Sequence, residues 1–223
     1  MRPHSLCAIV LYLPRENGNK EEFHMKTGFK ARQITLLGLL TAILLLMSVT
    51  PLGYLHIGPL AVTLNMIPVA VAASVLGPVG GLFTGTVFGL TSFAQCLGIG
   101  GSSPLGTALL GISPVRCFFV CVGSRVVTGF VTGLLARMLR PRLRCYAAVT
   151  GFLAASVNTV LFMGSMIWLY GGTEFLQNLI AGRNLLVFVA AFVGVQAVFE
   201  LAASTLCTGL IVRGLTRARL LER

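Results

Sequence analysis

Aspartate is absent from this 223-residue chain, and six glutamates stand against 17 lysines and arginines. Charged residues make up 10% of the sequence, compared with roughly a quarter in a soluble domain. Glu200 is the one acid inside an apolar stretch, so paired carboxylates or two metal ions could not be assembled for catalysis. His56 is the only histidine beyond the first 24 residues, and no nucleophile stands at a catalytic spacing from it. Since Gly-Lys-Ser and Gly-Lys-Thr are also missing, the sequence predicts neither catalytic residues nor an ATP site.

Apolar residues are abundant instead, at 56% of the chain. A helix needs roughly 20 of them to cross the hydrocarbon of a bilayer, so the long apolar stretches predict membrane spans. They lack the alternation of a barrel strand and exceed its length, which favours an all-α membrane protein without a soluble domain. The run Gly77-Pro78 predicts a tight reversal between the second and third spans. The six predicted spans are 34–52, 60–76, 79–97, 115–136, 146–169 and 184–212.

The basic residues predict the orientation of the chain. They cluster before the first span, between the fourth and fifth, and after the last, which is one side of the membrane if there are six crossings. Because positive residues stay in the cytoplasm, both termini are predicted inside, in a multi-pass protein of the cell membrane. The charge therefore reflects topology, and nucleic acid is not an expected partner. The clusters are Lys26, Lys30 and Arg32; Arg137, Arg140, Arg142 and Arg144; and Arg213, Arg217, Arg219 and Arg223.

The first 24 residues differ from the rest of the chain. They contain three of the six glutamates, and their apolar run, 7–13, is short for the core of a signal peptide. Met25 then opens a compact basic lead-in to the first span. Our hypothesis is that Met25 is the natural start and that 1–24 are a disordered or mis-called extension, with the membrane domain at 25–223.

Small residues recur at a spacing of four in three predicted spans, a pattern that lets two helices approach closely. On the first span, Gly38 and Ala42 either pack within the chain or form an outward-facing docking surface. In the other spans, as in most such patterns, the small residues are expected to pack neighbouring helices within the chain. The residues concerned there are Gly81, Gly85 and Gly89 in the third span, and Gly129 and Gly133 in the fourth.

Two predicted outer loops could cover a pocket. The loop 51–59 carries Tyr54 and His56, and the loop 98–114 is both glycine-rich and apolar. Loops of the second length are usually functional or disordered. The second loop is therefore predicted to be either a lid or an interfacial connector.

Polar residues inside the spans are the main functional signal. Arg125, Asn158 and Gln196 each lie roughly 15–18 Å from a span end, near mid-bilayer, and Glu200 follows one turn after Gln196. A charge at this depth is costly, so it should face the bundle interior and be paired. One reading is a structural Arg125–Glu200 ion pair with interhelical hydrogen bonds. The other is a solute pocket, in which Arg125 or Arg183 would bind a carboxylate.

Cysteines offer little for a metal. Cys117 and Cys121 share a helix face, but no histidine or acid accompanies them. Two ligands are too few for a structural zinc site, so the prediction is no metal and no cofactor in this chain.

The chain resembles the substrate-binding S components of energy-coupling factor (ECF) vitamin transporters over roughly 26–212, and most of all the pantothenate-type members. It departs from their pattern at Ser113, where we expect Asn, and at Ser124, where we expect Pro. The resemblance rests on Leu52-Gly53-Tyr54, Gly58-Pro59, Ile67-Pro68-Val69, Leu76-Gly77-Pro78, Gly80-Gly81, Gly89-Leu90-Thr91-Ser92-Phe93, Ser113-Pro114-Val115, Ser124-Arg125, Asn158-Thr159 and Glu200.

This resemblance implies six helices, a vitamin pocket in the outer half, and assembly with a transmembrane coupling subunit and two cytoplasmic ATPases, which would use the ATP. It also implies that Gly38 and Ala42 dock on the coupling subunit. Pantothenate is the first ligand expected, with riboflavin, folate or a queuosine precursor as alternatives. A structural or assembly protein of the membrane is the alternative from another class, and a membrane enzyme comes third. The predicted binding residues are Tyr54, His56, Gln95, Arg125, Asn158, Arg183, Gln196 and Glu200.

Overall fold

The structure, a computed structural model, describes residues 31–50, 54–57, 60–99, 104–143, 145–180 and 185–218. Side chains are not described in the two strands or over most of 179–196. The extension 1–24 and Arg183 lie outside the described residues. The elements are α1 Ala31–Val49, β1 Tyr54–Ile57, β2 Leu60–Thr63, α2 Met66–Cys96, α3 Pro104–Ile112, α4 Pro114–Phe118, a π-helical turn Phe119–Gly123, α5 Ser124–Leu139, α6 Tyr146–Tyr170, α7 Glu174–Ile180 and α8 Leu185–Arg217.

Five helical segments in the described part of the chain are long and apolar enough to cross a membrane. The prediction of a helical membrane protein is therefore confirmed. The first, third and fourth of these segments begin and end within three residues of predicted spans, because uninterrupted apolar sequence is what defines both, whereas the second covers two predicted spans and the fifth begins later than predicted. The five segments are Ala31–Val49, Met66–Cys96, Pro114–Leu139, Tyr146–Tyr170 and Ala197–Arg217.

The longest of these, α2, is broken at Gly77, whose φ of 72° and ψ of −154° are not helical. Glycine adopts this backbone conformation without the steric cost of a Cβ, and Pro78 cannot donate the hydrogen bond that would continue the helix. A Cβ placed on Gly81 would lie 3.2 Å from the Cβ of Ala73, although the two residues are eight positions apart. The chain therefore reverses at Gly77, as the sequence predicted, and α2 consists of two helices, 66–76 and 78–96.

The start of the predicted second span was wrong. Residues 60–63 form strand β2, which pairs antiparallel with β1, and the helix begins only at Met66. The apolar run from Leu60 looks continuous with the helix in sequence. In the structure, however, the turn at 64–65 separates the two elements. The predicted loop 51–59 likewise contains β1, so the fold is not purely helical.

The predicted loop 98–114 was also wrong in part, since 104–112 form α3 and 114–118 form α4. Pro114 occupies the first turn of α4, where its missing N–H costs nothing, and the Ser113 side chain caps that helix by accepting from the Arg116 N–H. Leu109 on α3 is buried in a core cluster with Met166, Tyr170 and other residues of α6 and α7. The segment is a short helix packed on the bundle.

Glycines bring α2 and α5 into backbone contact. A Cβ on Gly81 would collide with the carbonyl of Gly129, one on Gly85 would collide with the backbone of α5, and one on Gly89 would collide with the backbone of the π-helical turn Phe119–Gly123. Gly133 packs in the same way against the Gly77 reversal. These stripes therefore serve packing within the chain. On α1 the buried face is formed by Leu40, Leu44 and Ser48, whereas Gly38 has no atom within 4 Å of its Cβ position.

Candidate functional site

The centre of the candidate site is Arg125 on α5. Its side chain is only 7% exposed, and its guanidinium carbon lies 4.8 Å from the ring centre of Phe88 on α2 and 5.0 Å from that of Phe162 on α6. Both distances are within the range of a cation–π contact. Arg125 is thus held between two aromatic rings, in the middle of a membrane-spanning helix.

A π-helical turn, Phe119–Gly123, precedes Arg125 directly. Such turns interrupt the regular hydrogen-bond ladder of an α-helix and are frequent at functional sites. Here the Arg125 Nη1 donates to the carbonyl oxygen of Cys121, at 3.0 Å. This bond fixes one side of the guanidinium, whereas the buried Nε has no hydrogen-bond partner.

Asn158 supplies a buried acceptor on α6, the helix that also carries Phe162. It is 7% exposed, and its Oδ1 is buried without a hydrogen-bond partner. It precedes Phe162 by one helical turn on α6, so both residues share the face that meets Arg125. Leaving such a group unpaired costs about 1–3 kcal/mol, which a bound solute with donors and acceptors would recover. Thr132 and Thr208 also have unpaired buried hydroxyls.

Glu200 is buried on α8, 6% exposed, and it has a partner within the protein. One turn further along, the Ser204 hydroxyl donates to the Gly151 carbonyl of α6, at 2.9 Å. The contact sets Ser204 of α8 opposite Gly151 of α6, and the two helices run antiparallel. Glu200 therefore lies at about the level of the helical turn that precedes Asn158 on α6. The ion pair of Glu200 with Arg125 remains a prediction.

A second polar cluster joins the end of α1 to both arms of α2. The Gln95 Nε2 donates to the Ser48 carbonyl oxygen at 2.8 Å, and the Asn65 Nδ2 donates to the Ser48 Oγ at 3.3 Å. The Thr91 Oγ1 lies 3.2 Å from the same Ser48 Oγ. Gln95, a predicted binding residue, therefore uses its amide nitrogen to hold α1. The Oδ1 of Asn65 is buried and unpaired.

Helix α3 is fastened at the same end of the bundle. The Tyr170 hydroxyl at the end of α6 lies 3.0 Å from the Leu109 carbonyl oxygen and 3.1 Å from that of Ser113. Arg116 adds a bond from its Nη1 to the Leu169 carbonyl oxygen, at 3.2 Å. The hydroxyl of Tyr170 thus ties the segment predicted as a lid to a membrane-spanning helix.

The structure brings together some of the predicted residues. Arg125 contacts Phe162, which lies one helical turn after Asn158 on α6, Glu200 lies at a similar depth, and Gln95 belongs to the Ser48 cluster. Tyr54 and His56 lie in β1 and Gln196 lies in α8, but the directions of their side chains are outside the described part of the chain. Sequence reasoning missed three residues, Asn65, Phe88 and Phe162. Asn65 could have been found from the sequence, because it is the only asparagine between 34 and 76. Phe88 and Phe162 could not, because nothing in the sequence distinguishes them from the other phenylalanines, of which the chain has 14 in all.

The chain is similar to known proteins over most of its length. The family described as "ECF transporter, substrate-specific component" matches residues 32–212, which include every helix that positions Arg125 and Asn158. The chain is also similar to the pantothenic acid transporter PanT of Lactococcus lactis subsp. cremoris (strain MG1363), with 24% identity over 200 residues. That similarity covers 85% of this chain and 96% of the relative.

Proposed function

The chain belongs to the family of ECF transporter substrate-specific components, and we propose that it binds pantothenate, or a related small anionic vitamin, for import. The family resemblance of the sequence is thus confirmed. The family consists of transporter components rather than enzymes, and the chain is a multi-pass protein of the cell membrane. The similarity to PanT supports pantothenate as the first ligand to test.

The observation that carries this proposal is the buried, incompletely paired Arg125. A guanidinium presents its donors in a fixed fork that matches a carboxylate. Burial between Phe88 and Phe162 removes competing water, which strengthens such a bond. The unpaired Asn158 Oδ1 would accept from a hydroxyl or amide of the same ligand. In a core with a purely structural role, most buried polar atoms have a partner, because each unpaired group costs stability.

The experiment compares pantothenate with panthenol, in which an alcohol replaces the carboxylate. The full chain is purified in detergent, and binding is followed by calorimetry and by the shift in thermal unfolding. Hydrogen bonds to a charged group contribute about 1.5–3 kcal/mol, so panthenol should bind roughly tenfold to a hundredfold more weakly. Equal affinities for pantothenate and panthenol would show that Arg125 does not bind the carboxylate of the ligand.

Two variants complete the design. Arg125→Gln should abolish the preference for pantothenate over panthenol. Arg142→Gln removes the same charge from an exposed turn outside the site and should leave it unchanged. If the protein instead preferred riboflavin, folate or a queuosine precursor, the vitamin-binding role would stand and the ligand would not be pantothenate. A protein that gains no thermal stability from any vitamin would support the structural reading, since a ligand well above its Kd must stabilise the folded state.

The partners follow from the family and from the surface of α1. We infer that a transmembrane coupling subunit and two ATPases complete the importer, with ATP used by the ATPases. Gly38 and Ala42 are exposed on α1, opposite the buried Leu40 and Leu44, which supports docking through this face. Six crossings with both termini inside are part of the same proposal, and the two arms of α2 support that count.

A further inference from the structure

Three cysteines from separate parts of the sequence meet in the core. Cys96 ends α2, Cys117 lies on α4, and Cys121 lies in the π-helical turn. All three are buried, and their Sγ atoms lie within 4.8 Å of one another. The Sγ atoms of Cys96 and Cys121 are 3.6 Å apart. In the described part of the chain, this is the one place where three side chains of metal-binding type come together.

Tertiary packing creates this group. Cys117 and Cys121 are one turn apart, so the sequence could place two thiols on one face but predicted no metal for lack of further ligands. Cys96 arrives from α2, which Gly89 brings against the backbone of Val122 in the π-helical turn. The third ligand is therefore supplied by a contact between helices that are far apart in sequence.

We propose that Cys96, Cys117 and Cys121 bind a soft divalent cation of the zinc class. Tetrahedral zinc with Zn–S bonds of about 2.3 Å places its sulfurs about 3.8 Å apart, which is close to the 3.6 Å between the Sγ atoms of Cys96 and Cys121 and within the 4.8 Å that limits all three separations. Thiolates select soft cations, and no carboxylate accompanies them to favour Mg²⁺ or Ca²⁺. Each thiol gives up its proton on coordination.

Charge selects a divalent ion over a monovalent one. Three thiolates carry three negative charges, and Arg125, bonded to the Cys121 carbonyl one turn away, carries one positive charge. A divalent cation makes the sum zero, whereas Cu⁺ leaves one net negative charge in the core of a membrane protein. Uncompensated charge in that environment costs several kcal/mol. As long as no carboxylate is bound to Arg125, the group as a whole is thus neutral only with a divalent ion.

The test uses the full chain in detergent with a thiol-free reductant, titrated with Cd²⁺ as the probe. One Cd²⁺ per chain should produce thiolate-to-metal charge-transfer absorption in the ultraviolet. Cys96→Ser, Cys117→Ser and Cys121→Ser should each lose this absorption. Cys207→Ser changes a half-buried cysteine on α8 outside the group and should keep it. No absorption in the wild-type protein, or absorption that survives Cys117→Ser, would overturn the proposal.

A second measurement avoids variants that fail to fold. X-ray absorption of the zinc-loaded wild-type protein should show three sulfur neighbours at about 2.3 Å. Fewer than three, or a shell of nitrogen and oxygen alone, would contradict the site. This inference does not rest on the vitamin proposal. Pantothenate binding is measured on the same samples by calorimetry, so either one can fail while the other holds.

Discussion

The hydroxyl of Tyr170 lies 3.0 Å from the carbonyl oxygen of Leu109, and this contact ties the end of α6 to α3. Both residues are buried in one core cluster, so the bond is shielded from water. A loosened α3 would uncover this end of the bundle, where the Ser48 cluster also lies. The rate of ligand dissociation should therefore depend on the Tyr170 hydroxyl, although this hydroxyl does not have to contact the ligand.

Tyr170→Phe removes that hydroxyl and keeps the ring. A neutral hydrogen bond is worth about 1 kcal/mol, so we expect ligand dissociation to become roughly fivefold faster, with a small loss of thermal stability. Stopped-flow or surface-plasmon measurements of ligand release provide the check. Tyr146→Phe removes a hydroxyl from the opposite end of the same helix and should leave the rate unchanged. Equal rates in both variants would show that α3 does not control release.

Arg125→Lys keeps the charge but loses the planar fork and the Nε. An ammonium cannot reproduce the fixed donors held between Phe88 and Phe162. We expect affinity for pantothenate to fall at least tenfold while the protein stays folded, as measured by calorimetry and thermal unfolding. Full affinity in the lysine variant would mean that charge alone matters at this position.

Asn158→Leu should change stability and binding in opposite directions. The substitution removes a buried acceptor that lacks a partner, so the empty protein should unfold at the same temperature or higher. Binding should weaken by about 1–3 kcal/mol because the ligand loses the same acceptor. Ser156→Ala removes a hydroxyl that bonds only within α6 and serves as the control. A destabilised variant with unchanged affinity would assign Asn158 a structural role.

Gly129→Ala should destabilise the bundle strongly. Its added methyl group would collide with the Gly81 carbonyl, so α2 and α5 would have to separate. Overpacking of this kind costs typically about 1–3 kcal/mol. Gly38→Ala adds the same methyl group where no atom lies within 4 Å. Thermal unfolding of the two variants gives the comparison, and similar melting temperatures would contradict the tight packing at Gly129.

Gly38→Leu tests the exposed face of α1. We expect normal pantothenate binding and normal stability, since the new side chain points away from the buried residues of α1. Assembly with the coupling subunit should be lost, because a large side chain prevents close approach of helices. Co-purification with the coupling and ATPase subunits measures this directly. Loss of vitamin binding with intact assembly would place the docking face elsewhere.

Much of the fold could be predicted because the physics of a membrane span is local. The ends of α5 and α6 follow from where apolar sequence stops, and the Gly77 reversal follows from a glycine and a proline in succession. Strand β2 could not be separated from α2, since both are apolar and pairing with β1 is decided by distant contacts. Helix α3 was missed because its glycines suggest a loop.

The candidate site was predictable only in its polar part. Arg125 and Asn158 stand out because polar residues in apolar spans are expensive. Phe88 and Phe162 are indistinguishable in sequence from residues that simply face lipid. Cys96 is 21 positions from Cys117, and its approach depends on the contact of Gly89 with Val122 in the π-helical turn. Such groupings require the packing of helices to be known.

The two arms of α2 differ in length, and this makes the protein sensitive to bilayer thickness. The arm 66–76 rises about 16 Å, roughly half the hydrocarbon core, whereas 78–96 rises about 28 Å. Strand β2, which contacts α8, precedes this arm, and hydrocarbon cannot solvate strand backbone. In a bilayer with longer acyl chains, the hydrophobic mismatch between helix length and bilayer thickness would therefore arise first at the short arm. Lipid composition should therefore act on this protein mainly through the hairpin that precedes Met66.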